Sequence, residues 1–330
     1  MNAIKTGSGK RADCGGFGAA RLRLEPNAAG NAVVRDWRHL SVPCVSLLCC
    51  AMLAACGGGG GGGGGGPMRF TTSFSQVSST PNEFSGHIEM AGEATSITVR
   101  TLGSSIFVIG DEKSNPATVR IRAENGNVLS FNLRSRESNV NIYAENLAGN
   151  DAMEADDGTA LYIDPIKRGF EYQTFGIWSK TESGTTASWG AASFGRRTAA
   201  ANMPSGGAAT YEADALGLAV DGSRPYLTTS NIEITTANYA DVDITSSNTY
   251  RTQITSDGSP QVPERDSSLD FQGTGSVSGS GFSINIQDNG SRRGEAVGSF
   301  YGPRAEEVGG TYNIRSGNFS HIGAFGGIRQ

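Results

Sequence analysis

The sequence predicts an all-β protein in which a C-terminal eight-stranded antiparallel barrel follows a smaller β-rich domain. Three observations carry this reading. Short runs of Val, Ile, Phe and Tyr alternate with Ser, Thr, Asn and Gly, and no stretch beyond residue 68 sustains a 3.6-residue apolar period. Glycine, at 47 of 330 residues, is about twice its usual share. After Pro165 the strands lengthen and a regular strand–turn rhythm sets in; about eight strands in about 160 residues suit a closed sheet that leaves no exposed edge.

Residues 1–67 have a different composition. The basic stretch Val34-Arg35-Asp36-Trp37-Arg38-His39 precedes an apolar run from Ser41 to Ala55 that is too short to cross a bilayer as a helix. The run ends Leu53-Ala54-Ala55-Cys56, the pattern of a bacterial lipobox: an aliphatic residue, two small ones, then the cysteine whose thiol is acylated. Residues 1–55 are therefore read as a lipoprotein signal peptide with an N-terminal extension. Residues 1–33 fit no part of such a signal, and translation is expected to start near Val33 or Val34. Cys56 is the expected lipidation site, and 56–67 are the acylated cysteine with its tether. Several acyl chains anchor stably where one binds reversibly. Gly57 follows the cysteine, where an aspartate would favour the inner membrane, so the outer membrane is expected. Gly57 to Gly66 make a flexible spacer of roughly 17–20 Å root-mean-square span.

Residues 68–166 alternate in short bursts and are assigned to the smaller β-rich domain. Val119-Arg-Ile-Arg-Ala123 and Leu129-Ser-Phe-Asn-Leu133 flank Asn125-Gly126, the strongest short-range hairpin signal. Glu145 to Thr159 is acidic and reads as a solvated loop, since the alternating carboxylates of a calcium loop are missing. Residues 167–330 are assigned to the barrel, with Glu171–Ser179 and Ala187–Gly195 as its first strands, and are expected to fold alone. Within them, Gly302-Pro303 opens Arg304-Ala-Glu-Glu307 and Gly309-Gly310 closes it. This stretch is expected to be one helical turn between two strands. Gly309 or Gly310 is expected at positive φ, and Glu306 and Glu307 are expected to be exposed.

Tyr172-Gln-Thr-Phe-Gly-Ile-Trp-Ser179, Ala192-Ser-Phe-Gly195, Met203-Pro-Ser-Gly-Gly-Ala-Ala-Thr-Tyr211, Ala240-Asp-Val-Asp243, Leu269-Asp-Phe-Gln-Gly-Thr-Gly275, Phe300-Tyr-Gly-Pro-Arg-Ala-Glu-Glu-Val-Gly-Gly310 and Gly323-Ala-Phe-Gly-Gly327 occur in this order. As an ordered set they resemble the β-barrel domain of transferrin-binding protein B and its relatives, surface lipoproteins of Gram-negative bacteria. The resemblance covers about residues 170–330. It implies that 68–166 is handle-like and that the chain corresponds to one lobe of transferrin-binding protein B, which has two. It further implies a surface-exposed lipoprotein that binds a protein ligand, with iron acquisition as the implied role. The family's recognition loops find no residue-by-residue match here, and single-barrel relatives bind other partners, so transferrin does not follow as the ligand. The alternative is a lipoprotein that binds haem or another small solute.

Charge and chemistry narrow the classes further. Seven of the 27 Lys and Arg but three of the 32 Asp and Glu precede Cys56, which leaves a net charge of −9 for the rest and argues against nucleic acid as a partner. No cysteine follows Cys56, so neither a disulfide nor a thiolate metal site is expected in the body. No H-E-x-x-H, G-x-S-x-G or Walker pattern occurs, and Gly273-Thr-Gly275 leads into a strand instead of a helix. No enzyme activity, cofactor or metal is expected. His321 is weighed as a haem ligand against an ordinary strand residue, and the second is preferred. Trp178 and Trp189 are read as barrel packing, Arg196-Arg197 and Arg292-Arg293 as solvated turns. The expected state is a monomer held to the membrane by its lipid.

Overall fold

The structure, a computed structural model, describes residues 85–330 apart from 103–104, 111–112, 125–126, 136–139, 146–151, 156–157, 164 and 255–260, together with two short paired strands, β1 (Leu24–Pro26) and β2 (Ala32–Val34). Cys56, the apolar run before it and the polyglycine after it lie outside the described residues.

The first large sheet contains β3 (Ser85–Leu102), β4 (Ser105–Val108), β5 (Lys113–Glu124), β6 (Asn127–Ser135), β7 (Val140–Glu145), β8 (Ala152–Ala155) and β9 (Gly158–Tyr162), then, after a single helical turn α1 (Pro165–Arg168), β10 (Gln173–Ser183) and β11 (Thr186–Gly195). Its order is β7-β6-β5-β3-β11-β10-β9-β8, with β4 also on β3. The Asn-Gly hairpin forms where the sequence places it, with Glu124 opposite Asn127; its two turn residues lie outside the described residues. The acidic segment read as a loop instead contains the β8–β9 hairpin. Small residues such as Ala152 and Ala155 carry no β signal, and pairing with β9, itself held by β10, supplies what local propensity lacks.

The second sheet is the barrel. Its strands are β12 (Ala209–Asp221), β13 (Arg224–Thr236), β14 (Asp241–Gln253), the two-residue β15 (Glu264–Arg265), β16 (Phe271–Ser278), β17 (Gly281–Asp288), β18 (Arg293–Tyr301), β19 (Glu307–Ser316) and β20 (Phe319–Arg329). The order β13-β12-β20-β19-β18-β17-β16-β14 closes through a β13–β14 pairing, giving eight antiparallel strands in a ring, with β15 riding on β14. The all-β class and the closed eight-stranded barrel thus agree with the sequence. Its first strands do not: β10 and β11 pair with β9 and β3, so the change of sheet falls between Gly195 and Ala209 rather than at residue 166.

Two cores hold the molecule. Side chains fill the barrel, as an eight-stranded ring requires. At one end Tyr211, Tyr239 and Phe282 surround Phe300 with ring centroids 5.5–5.6 Å away; further along, Phe271 and Tyr312 lie 4.8 Å apart. The second core is the seam where the barrel's outer face meets the first sheet. Leu216, Leu218 and Ile322 pack there with Ile97, Phe175, Ile177 and Trp189. Each such side chain contributes about 1.5–3 kcal/mol when fully buried. Burial along the strands differs accordingly. β14 begins buried-exposed in strict alternation, whereas β11 and β20 are buried at nearly every position because both faces are covered. Trp178 and Trp189 are buried as expected, but in the first sheet. An ion pair from Arg168 of α1 to Asp214 of β12 ties the two bodies, and burial pushes the Asp214 carboxyl above its usual range against the opposing pull of Arg168.

The far end of the barrel is closed by charge. Arg292 donates to Asp288 at 2.6 Å and lies 3.5 Å from the Phe319 ring centre, while Arg265 donates to Asp270 at 2.6 Å. Arg292 is thus a barrel plug rather than a solvated turn, and Arg197 is paired with Glu93 across to β3. Sequence adjacency to glycine gave no sign of either partner.

Candidate functional site

Polar contacts join the two bodies where residues 171–173, at the start of β10, meet β19 and β20. Gln173 is fully buried and its side-chain amide donates to the Val308 and Gly327 carbonyls, at 2.8 and 3.0 Å. The Glu307 carboxylate accepts from the backbone N–H of Glu171 (2.5 Å) and of Tyr172 (3.1 Å). Glu307 is 3% exposed, contrary to the expectation of an exposed glutamate. Burial pushes its carboxyl up to about 7, although both backbone donors pull the other way. It pairs with Ile328 in the β19–β20 ladder, so register turns it into the seam.

The segment 302–305 is a hydrogen-bonded turn, not a helical one, with Gly302 at φ +89° and Ala305 at φ +59°. Gly309 and Gly310 are extended strand residues and do not have positive φ. The turn is pinned from several sides. The Tyr211 hydroxyl donates to the Ala305 carbonyl at 2.7 Å, the Thr198 hydroxyl donates to the Gly302 carbonyl at 2.7 Å, and Arg304 N–H donates to the Glu306 carboxylate at 2.7 Å. Opposite the turn, the link between the sheets runs through a short 3-10 turn, Ala200–Asn202, and seats Met203 against the barrel core. Between link and turn lies a cleft of about 560 Å³ lined by Asn202, Pro204, Pro303, Arg304 and Arg329. The sequence singled out Pro303 and Arg304 as turn formers; it offered no signal that Arg329, 25 residues away, would join them.

Other sequence candidates fall elsewhere. His321 is fully buried inside the barrel, where its Nε2 is 2.9 Å from the Thr228 hydroxyl and 3.1 Å from that of Tyr312. Burial, aided by the charge of Arg292, lowers its pKa to about 3. It is a neutral packing residue, and the preferred strand reading holds. Gly273 and Gly275 lie in β16 as barrel wall. A separate exposed apolar tip, Leu102, Phe107 and Ile109, sits on the β3–β4 hairpin at the far end from the cleft.

The fold therefore defines an all-β protein with a closed eight-stranded barrel seated on a curled sheet. Residues 203–329 match the family model described as the C-lobe and N-lobe β-barrels of Tf-binding protein B, and the barrel has a transferrin-binding protein B-like fold. The match begins just ahead of β12 and leaves out β10 and β11, as the hydrogen bonding does. Solved structures that resemble the chain include a mutant transferrin binding protein B from Haemophilus parasuis Hp5 (12% identity over 74% of this chain and 76% of that one, TM-score 0.37). The isotype 1 transferrin binding protein B of serogroup B Neisseria meningitidis matches at 12% identity over 66% and 52%, with TM-score 0.39. The N-lobe of lactoferrin binding protein B from Moraxella bovis matches at 13% over 52% and 80%, with TM-score 0.32. No curated protein matches the chain.

Proposed function

We propose that the chain is a lipoprotein of the Gram-negative outer membrane, anchored through Cys56, that presents its barrel at the cell surface to bind a protein ligand without catalysing a reaction. The observation that carries this reading is the match of residues 203–329 to barrels of a family named for binding a protein. The lipobox at Leu53–Cys56 and the ten-glycine spacer after it supply the anchor and the reach. A role in iron acquisition belongs to the same proposal. The burial of His321 weighs against the haem alternative, because the one histidine considered for that role is enclosed among packed side chains.

Cys56→Ala is expected to abolish incorporation of labelled palmitate and to release the protein from the membrane fraction. Retention of the variant in membranes would rule out the lipid anchor. For the binding role, the purified chain immobilised on beads is expected to retain a specific protein from host fluid that a barrel-disrupted variant does not. Absence of any such protein, with saturable haem uptake in its place, would favour the small-solute reading.

A further inference from the structure

Arg304 and Arg329 both line the cleft at the end of the barrel, and neither forms an ion pair among the described residues. Their positions are not those of loose surface arginines. Arg304 sits on the pinned turn, and its neighbour Glu306 spends a carboxylate oxygen on the Arg304 backbone N–H. Arg329 ends β20, where its own N–H donates to the Glu306 carbonyl at 2.9 Å. Its guanidinium donates to the Arg304 carbonyl at 3.2 Å. These bonds leave guanidinium donors of both residues free for a ligand. The Glu306 carboxylate acts on Arg329 as well, so two cations against one anion leave the cleft net positive on a chain whose formal charge is −5. The remaining lining, Pro204, Pro303 and Asn202, is rigid and mostly apolar.

A guanidinium fork matches a carboxylate with two parallel hydrogen bonds, and the cleft volume is that of a site for a few side chains. We infer that this cleft takes an acidic stretch of a protein partner, with its Asp or Glu carboxylates on Arg304 and Arg329 and its backbone against the two prolines. The inference rests on the reading of the chain as a binder of a protein ligand, and it names the chemistry of that ligand.

Calorimetric titration of the full chain with a tri-glutamate peptide tests it, with inorganic phosphate and tri-lysine as parallel arms. Saturable binding of tri-glutamate at low salt is expected, weakened about tenfold by Arg304→Ala and again by Arg329→Ala, the size of one lost charge-assisted bond. Both side chains are exposed, so the variants should melt like the parent. Arg329→Lys, which keeps the charge and loses the fork, should bind at an intermediate strength. No saturable binding, binding unchanged in both alanine variants, or phosphate binding as tightly as the peptide would each overturn the inference. If a protein retained by the parent is retained equally by the double alanine variant, this site assignment falls and the wider binding role stands. If the parent itself retains no protein, the wider role falls.

Discussion

Gly310→Val is expected to destabilise the barrel by about 3 kcal/mol, the upper end of the usual cost of overpacking a core. A Cβ at residue 310 would meet the Val297 carbonyl oxygen, the Gly298 Cα at 2.7 Å and the Phe325 ring at 2.8 Å. Two of those three neighbours are backbone of the adjacent strand, so rotamer changes alone cannot relieve the clash. Gly298 and Gly310 are opposite each other in the β18–β19 ladder, and Phe325 is opposite Gly310 on the other side. The glycines make room for one aromatic ring inside a narrow barrel. The effect therefore comes from space, not from a positive φ, and Gly310→Ala should already show a large part of it. A melting temperature unchanged in Gly310→Val would mean the strands separate easily, and the packing account would be wrong.

The second large effect concerns pH. Glu307 has a folded-state pKa of about 7 against an ordinary value of 4.5. The folded protein therefore holds a proton that the unfolded chain releases between those values. The stabilising contribution is complete below about pH 4.5, is lost progressively as pH rises, and is gone above about pH 7. At about 1.36 kcal/mol per pKa unit the full swing is about 3 kcal/mol. Glu307→Gln removes the titrating group and keeps an oxygen for the Glu171 N–H. The variant should be more stable than the parent at pH 8, with the gap closing by about pH 5. The charges facing this site are Glu171 ahead of β10 and Glu306 on the turn, with the Arg197–Glu93 pair beyond Tyr301. Because those groups remain in both proteins, the difference between the two melting curves isolates Glu307. Parallel curves from pH 5 to pH 8 would refute the assignment. Glu306→Gln is the control, and its partly exposed side chain should shift stability by less than about 1 kcal/mol.

The closed barrel was read from the number of strands after Pro165. The alternation of apolar and polar residues was sufficient to specify β structure, because side-chain period is a local property of a strand. Asn125-Gly126 specified a hairpin for the same reason. Sheet membership was not legible. β10 and β11 look like barrel strands, being glycine-rich and apolar on both faces, but a strand buried on both sides reads alike whether it lines a barrel or lies against one. Only the pairing of β11 with β3, about 95 residues earlier in the chain, decided it. Glu307 was misread as exposed because its surroundings come from residues 171–172, far away in sequence. The cleft was hidden for the same reason: Arg304, Arg329 and Pro204 come together only when ring closure brings the start of β12, the end of β18 and the end of β20 to one rim. Local chemistry reaches a few residues along the chain. Burial and proximity belong to the closed surface, and here they place the charges.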